Sequence, residues 1–386
     1  MDPIPVSRET MSGFADATGL SGAGNPPRRY LWTDAFAVCN FLELFRRTGE
    51  EHWRRTALSL VHQVHAVLGR HREDDSRTGW ISGLGEEEGR RHPTAGGLRI
   101  GKKLNERKPG AAPGDREEWD RDGQYYHYLT KWMHALNRVS RFTRDPIYNV
   151  WARELAKAAH AGFVHGKESG PGGMYWKMSI DLSRSLVSSM GLHDPLDGLV
   201  TYKALKHTAS EFPERPDGPL LDAEIGDMEE LCKGRAWMTD DPLGLGGLLD
   251  AAYRIFQLIA ADSFPETGLL TDLLESSLAG LHVLGGTSLM RLSAEHRLAF
   301  RELGMSIGLH AVERMREASA RHREFPGDRR ISLQVDRLAR NVPLARVIEE
   351  FWLDPLNRAS RSWLNHEDIN GVMLTTSLIP DGYLEL

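Results

Sequence analysis

DGQYYHYLTKWMHALNRVSRF (residues 122–142), the turn TRDP (143–146) and IYNVWARELAKAAHAGF (147–163) together decide the fold. The first segment is apolar or aromatic on most sides, the pattern of a helix buried all round. The last keeps apolar residues at a 3.6-residue period, the pattern of a helix with one covered face. A short turn between two helices makes them antiparallel neighbours. The same unit stands upstream: DAFAVCNFLELFRR (34–47), the turn TGEE (48–51), then HWRRTALSLVHQVHAVLGRHR (52–72). In the last of these, Trp53, Ala57, Leu60, Val61, Val64, Val67 and Leu68 form one apolar stripe. Thr48 suits a cap and Gly49 a helix terminator.

Further copies open with DPLDGLVTYKALKHT (194–208), DPLGLGGLLDAAYRIFQLIA (241–260) and LAFRELGMSIGLHAVERMREA (298–318). INGVMLTTSL (369–378) is a short last helix that needs a partner from elsewhere, such as the chain start. Apolar helices are therefore expected to start near 34, 122, 194, 241, 298 and 369. Six helix pairs form either an open superhelix or a closed ring. An open solenoid has amphipathic helices on both surfaces. Here one helix of each pair is nearly all apolar, which fits an inner ring flanked by neighbours and backed by an outer helix. The expected fold class is all-α, an (α/α)6 toroid forming a single domain over residues 29–386. An irregular helical bundle is the alternative. Residues 1–28, rich in Gly, Pro and Ser, are expected to form a flexible, extended arm.

The chain has 386 residues, 40% of them hydrophobic, enough for a large core, and a net charge of −6. No basic face is implied, which argues against a nucleic-acid partner. Cys39 and Cys232, the only two cysteines, lie far apart without a CxxC pattern, so reduced thiols are expected. MDPIPVSRETMSGFADATGL lacks the basic and apolar regions of a signal peptide. No run of about 18 apolar residues stands out, so no membrane partner is expected. A cytoplasmic chain is the expectation, and the excess of Arg over Lys points to a GC-rich, bacterial-type genome.

In such a ring the inner helices start at one end, and the loops leading into them line a funnel. Unusual residues recur there: Trp32 and Asp34; Trp119, Asp120 and Asp122; His193, Asp194 and Asp197; Trp237, Asp240 and Asp241; Arg301 and Glu302; His366, Glu367 and Asp368. Each acid taken singly suits a helix cap, because a carboxylate accepts orphan N–H groups and complements the helix dipole. Their recurrence beside aromatic and His residues is what points to chemistry. Long loops feed the same rim. Residues 72–121 contain GGLRIGKKL, whose Arg99, Lys102 and Lys103 suit an anion. Residues 166–192 carry Tyr175, Trp176, Lys177, Asp181 and Arg184 on a lid-like segment. On the 122–142 helix, Asp122, Tyr126 and Thr130 share one face and Tyr125, Tyr128 and Trp132 another, so one face points inward while the other packs. No HExxH or comparable ligand spacing appears, and neither a metal nor a cofactor is expected.

The turns TGEE and TRDP and the helix starts WTDAF (32–36), WDRDGQYY (119–126) and WMTDDPLG (237–244) resemble those of the six-hairpin glycosidase-like superfamily. That group includes toroid glycoside hydrolases and the N-acylglucosamine 2-epimerase family. The resemblance covers about residues 30–380 and implies a small carbohydrate or glycan as the partner. A homodimer is compatible with this reading.

Three functions are weighed beside a minor fourth, a ring that cyclises an isoprenoid or a peptide, for which the DDxxD motif is absent. A glycoside hydrolase would use paired carboxylates, with Asp122 and Asp241 preferred and Asp34, Asp194 and Glu302 close behind. A sugar epimerase or isomerase would use His127, His193 or His366 as acid and base. A non-catalytic helical scaffold would need none of them. Trp32, Arg99, Lys103, Trp119, Tyr126, Tyr175, Trp176, Lys177, Trp237, Arg301 and Glu367 are the expected substrate contacts.

Overall fold

The computed structural model describes residues 2–22, 26–111, 115–166, 172–212, 217–264, 267–321 and 329–386, with the side chains of 115–117 and 321 excepted. The chain starts with a helix, α1 (Pro3–Ala17), which buries Ser7, Met11 and Phe14. The extended arm expected for residues 1–28 is thus corrected. VSRETMSGFADA places Met11 and Phe14 on one face with Ser7, so a helix gives that face something to cover.

The chain divides into two compact units, Ala15–Lys233 and Met1–Phe14 with Gly234–Leu386. The first unit holds α2 (Leu31–Thr48), α3 (Glu51–Leu68) and the short α4 (Glu86–Arg91) and α5 (Asp115–Asp120). It continues with α6 (Tyr126–Thr143), α7 (Ile147–Phe163), α8 (Asp194–Ser210) and α9 (Asp222–Cys232). These pair as hairpins α2/α3, α6/α7 and α8/α9, and the inner helices α2, α6 and α8 lie side by side. Helix α2 is buried without a break from Leu31 to Leu44, as its composition demanded. α3 buries one stripe, Trp53, Ala57, Leu60, Val61, Val64, His65 and Leu68. Gly49 ends α2 at φ 71° and donates its N–H to Phe45 O at 2.8 Å, a left-handed stop that glycine takes at little cost. Arg144 makes the corresponding stop after α6 at φ 59°.

Short strands tie the long loops to this framework. β1 (Gln124–Tyr125) pairs antiparallel with β4 (Lys177–Met178), and β4 with β5 (Ser185–Val187); β2 (Val164–His165) pairs with β3 (Gly173–Met174). The register Tyr125↔Lys177 brings the second long loop against the start of α6.

The second unit contains α10 (Pro242–Ala260), α11 (Thr267–Gly285), α12 (Ala299–Arg321), α13 (Arg329–Ala339) and α14 (Pro343–Leu353). It ends with α15 (Pro355–Arg358), α16 (Arg361–Leu364), α17 (Glu367–Leu378) and α18 (Asp381–Leu384). Here α10, α12 and α17 are the inner helices, backed by α11, α13 and α14. α10 and α12 approach closely because glycines face each other. A Cβ on Gly246 would lie 2.0 Å from Gly304 O, and one on Gly308 would lie 2.7 Å from Gly246 Cα. The last inner helix does take its partner from the chain start: a Cβ on Gly371 of α17 would meet Thr10 of α1 at 3.0 Å. By length and composition α10 is apolar enough to cross a membrane, contrary to the expectation that no such run exists, but 72% of it is buried in packing.

A buried polar network joins α12, α14 and α17. Ser377 and Ser306 donate to Glu349 Oε1 at 2.6 and 3.1 Å, and His310 Nε2 lies 2.7 Å from the same oxygen. Burial by itself would lower the His310 pKa, but Glu313 and Glu349 outweigh it and raise it to about 9. A folded pKa above the unfolded value gives stability that is complete below pH 6.5 and lost as pH rises through 9. The expected loss between those limits is on the order of 3 kcal/mol. Urea unfolding of wild type and His310→Asn at pH 6 and pH 9.5 should show this pH dependence in wild type only.

Candidate active site

The starts of α2, α6 and α8 meet in the first unit. Tyr30, at the N-terminus of α2, shares a 2.6 Å hydroxyl–hydroxyl hydrogen bond with Tyr128 of α6. Around this link the rings form a continuous wall. Trp32 lies 6.4 Å from Tyr128, Tyr128 5.1 Å from Tyr125, Tyr125 5.2 Å from Trp176, and Trp176 5.1 Å from Trp119, centroid to centroid. Trp119, at the end of this wall, is 55% exposed. His127 stacks between this wall and α8, 5.4 Å from Tyr125 and 6.1 Å from Trp176.

Behind His127 stands an acid pair. His127 Nδ1 lies 3.8 Å from Asp194 Oδ1, too far for a hydrogen bond, and that nitrogen has no hydrogen-bond partner. One turn further on, Lys131 Nζ lies 3.4 Å from Asp197 Oδ2. Burial and the Asp197 charge push the Asp194 carboxyl up to about 7, against the Gly191 N–H and Lys131. Burial pushes the His127 imidazole down to about 4. At neutral pH the carboxyl is therefore half protonated and the imidazole neutral.

The other acids expected at the rim of this unit are held by structural partners. Asp122 is fully buried and accepts from Arg72 Nη1 (3.2 Å), Arg99 Nη1 (3.0 Å), Gly101 N (2.9 Å) and Gly123 N (3.1 Å). Asp34 is buried, accepts the Tyr30 N–H at 3.0 Å and lies 3.6 Å from Arg29, which makes it a clamp on the start of α2. Arg99 also donates to Arg70 O and Val67 O, so the anion site read into GGLRIGKKL is occupied by the chain's own groups. Lys103 is exposed, and Lys102 instead lies 5.2 Å over the Tyr30 ring.

Tyr126 is fully buried with its hydroxyl donating to Tyr202 at 2.8 Å, so the 126/130 face packs and the 125/128 side carries the wall. Lys177 is a buried strut that donates to Glu118 O, Glu118 Oε1 and Arg121 O. Tyr175 stacks on His165 at 4.2 Å, and His193 is the residue from which α8 departs.

The loop 72–111 and the 181–184 turn enclose a separate cavity of about 820 Å3. Its walls are charged and carry no aromatic side chain. Arg77 joins them, donating to Asp75 Oδ2 (2.8 Å), Glu106 Oε1 (2.6 Å) and Asp181 Oδ2 (2.8 Å).

In the second unit the starts of α10, α12 and α17 likewise come together. Asp241 caps α10 through Gly244 N at 2.9 Å and pairs with Arg301 of α12. Phe300 N donates to Asn370 Oδ1 of α17 at 3.0 Å, and the Phe300 ring lies 5.7 Å from His366. His366 and Glu367 are exposed and Trp237 is buried. Glu302 is 1% exposed, bound by both guanidinium edges of Arg297 and by Trp352 Nε1. Among the described residues no group of three or more His, Cys, Asp or Glu is placed to hold a metal ion.

Composition and periodicity singled out Asp194, Asp197 and His127 but missed Lys131. The signal was present: His127 and Lys131 are four apart and Asp194 and Asp197 three apart, so each pair shares a helix face.

The fold is all-α, an (α/α)6 toroid. It is similar to a GH76 α-mannanase from Bacteroides thetaiotaomicron, with a TM-score of 0.55 and 10% identity over 99% of this chain and 96% of that one. It is also similar to a cellobiose 2-epimerase from Spirochaeta thermophila, with a TM-score of 0.51 and 13% identity over 97% and 98% of the two chains. No family model matches the sequence, and no curated protein matches it.

Proposed function

We propose that the chain is a carbohydrate-active enzyme, a glycoside hydrolase in which Asp194 donates the proton to the leaving oxygen. The observation that carries this reading is a buried carboxyl, held up to about 7, behind a wall of indole and phenol rings. Aromatic faces cover the C–H faces of sugar rings, and a general acid works best when its pKa lies near the operating pH. Both toroid neighbours are named for activity on sugars, one as a mannanase and one as a cellobiose epimerase. A hydrolase needs a second carboxylate. Asp122 is not that carboxylate, because two guanidiniums and two backbone N–H groups already occupy its oxygens.

A second reading has one observation in its favour. His127 Nδ1 has no hydrogen-bond partner and lies at the foot of the ring wall, as a proton-exchanging base in an epimerase would. An imidazole at about 4 is a weak base for that task, whereas a carboxyl at about 7 is a suitable acid. Hydrolysis is therefore preferred.

The test is a panel of α- and β-linked oligosaccharides in deuterated water. New reducing ends without deuterium in the recovered sugar are expected; deuterium uptake without cleavage supports the epimerase instead. If no sugar is turned over and none raises the melting temperature, the carbohydrate reading fails. On a sugar that is accepted, Trp176→Ala should raise KM about tenfold, equivalent to about 1.4 kcal/mol, and lower kcat less.

A further inference from the structure

His127 and Lys131 on α6 face Asp194 and Asp197 on α8 as two rungs, 3.8 Å apart above and 3.4 Å below. The upper rung adjoins the aromatic wall. In the lower rung, Lys131 and Asp197 have 14% and 17% of their side chains exposed. We propose that Asp197 and Lys131 are positioning residues: their ion pair fixes the spacing of α6 against α8 at the site and sets the field in which Asp194 takes up and gives up its proton. This rests on Asp194 being the proton donor.

Helical spacing supplies the geometry. Residues three or four apart stand one above the other, so one lower contact fixes the distance across the upper one. The two lower charges act on both upper groups with opposite signs. The Asp197 charge favours a proton on Asp194 and on His127, and the Lys131 charge disfavours both. Tyr125 and Tyr128 lie 5.4 and 4.9 Å from the His127 ring, both phenols raised by burial, and Tyr126 of α6 is a further titratable group close to this pair. Its hydroxyl is buried against Tyr202 and held well above its ordinary value by burial, with Asp194 and Asp197 adding to the effect. The charged groups on the elements behind are matched among themselves. On α9, Glu224 pairs with Lys157, Asp227 with His160 and Glu229 with Lys203. His193 precedes α8 at the N-terminal side of Asp194. The Asp197–Lys131 pair is thus the local source of field that differs in sign at its two ends.

The discriminating measurement is a carboxyl-carbon NMR titration of the whole chain labelled at aspartate, with the Asp194 signal assigned by its loss in Asp194→Asn. Asp197→Asn should move the Asp194 midpoint down by about one pH unit, and Lys131→Met should move it up by a similar amount. Lys131→Arg should return it to the wild-type position, which a simple packing role would not require. On a turned-over sugar, the same variants should shift the alkaline limb of kcat in the same directions. Midpoints that stay within a few tenths of wild type in both folded variants would overturn the proposal. If Asp197→Asn does not fold, Lys131→Met and Lys131→Arg carry the test. The titration needs no substrate, so it is independent of the assignment of Asp194 as donor. That assignment fails separately, if Asp194→Asn keeps its turnover.

Discussion

Replacing Glu302 by alanine is expected to lower the unfolding free energy by about 3–5 kcal/mol, the cost of leaving one partner of a buried ion pair alone. The pair is nearly dry: Arg297 and Glu302 have 2% and 1% of their side chains exposed. Arg297 Nε and Nη2 donate to the two carboxylate oxygens at 2.8 and 2.6 Å, and Trp352 Nε1 donates at 2.9 Å. The guanidinium also lies 3.7 Å over the Phe351 ring. Alanine removes every acceptor of Arg297 that carries charge and orphans the Trp352 N–H. For a cooperative unit of about 150–250 residues, such a loss lowers the melting temperature by about 10 °C. The double replacement Glu302→Leu with Arg297→Met should cost less than either single change, because a well-packed apolar pair avoids desolvating two charges. Thermal unfolding of Glu302→Ala, of the two single changes and of the double checks this. Additive single effects would show that the two charges are not coupled and that Glu302 is not the structural acid described above.

Glu302 also shows why the site was harder to read than the fold. Inner helices were expected near 34, 122, 194, 241, 298 and 369, and they start at Leu31, Tyr126, Asp194, Pro242, Ala299 and Glu367. That agreement follows from local information, since a helix surrounded by neighbours must be apolar on all sides. The fate of an acid at a helix start depends on what distant loops deliver to it. Asp122 receives Arg72 and Arg99, which lie 50 and 23 residues away in sequence. Glu302 receives Trp352 from 50 residues away. Among the described residues, Asp194 receives only the Gly191 N–H, at 3.2 Å, as a hydrogen-bond donor. The sequence marks all three as candidate caps or catalysts. Only the partners separate a carboxylate locked into the framework from one left able to take up a proton. The N-terminal segment departs from the expected arm for a related reason: Gly and Pro cluster at 19–27, whereas the segment before them carries its own apolar face and forms a helix.

Asp194→Asn should abolish most turnover while making the protein more stable, a combination that neither a structural cap nor a damaged fold produces. On an accepted oligosaccharide, loss of a general acid is expected to lower kcat by about 10²–10⁴-fold with little change in KM. Wild-type kcat should fall as pH rises through about 7, because Asp194 must be protonated to donate. That limb should be missing from the residual rate of the variant. The stability effect has the opposite sign. The folded pKa of Asp194, about 7, lies above the ordinary aspartate value of 3.8, so the folded chain loses stability as pH rises between those values. Asparagine is neutral throughout and escapes that loss, so at pH 8 the variant should gain on the order of 1 kcal/mol or more. Asp122→Asn is the contrast: its carboxylate joins two arginines, so its loss should lower the melting temperature at every pH. Paired melting curves and initial rates at pH 5, 6.5 and 8 separate these cases. A variant at Asp194 that melts lower than wild type at pH 8, or that keeps its turnover, would show that the carboxyl serves the framework and not the reaction.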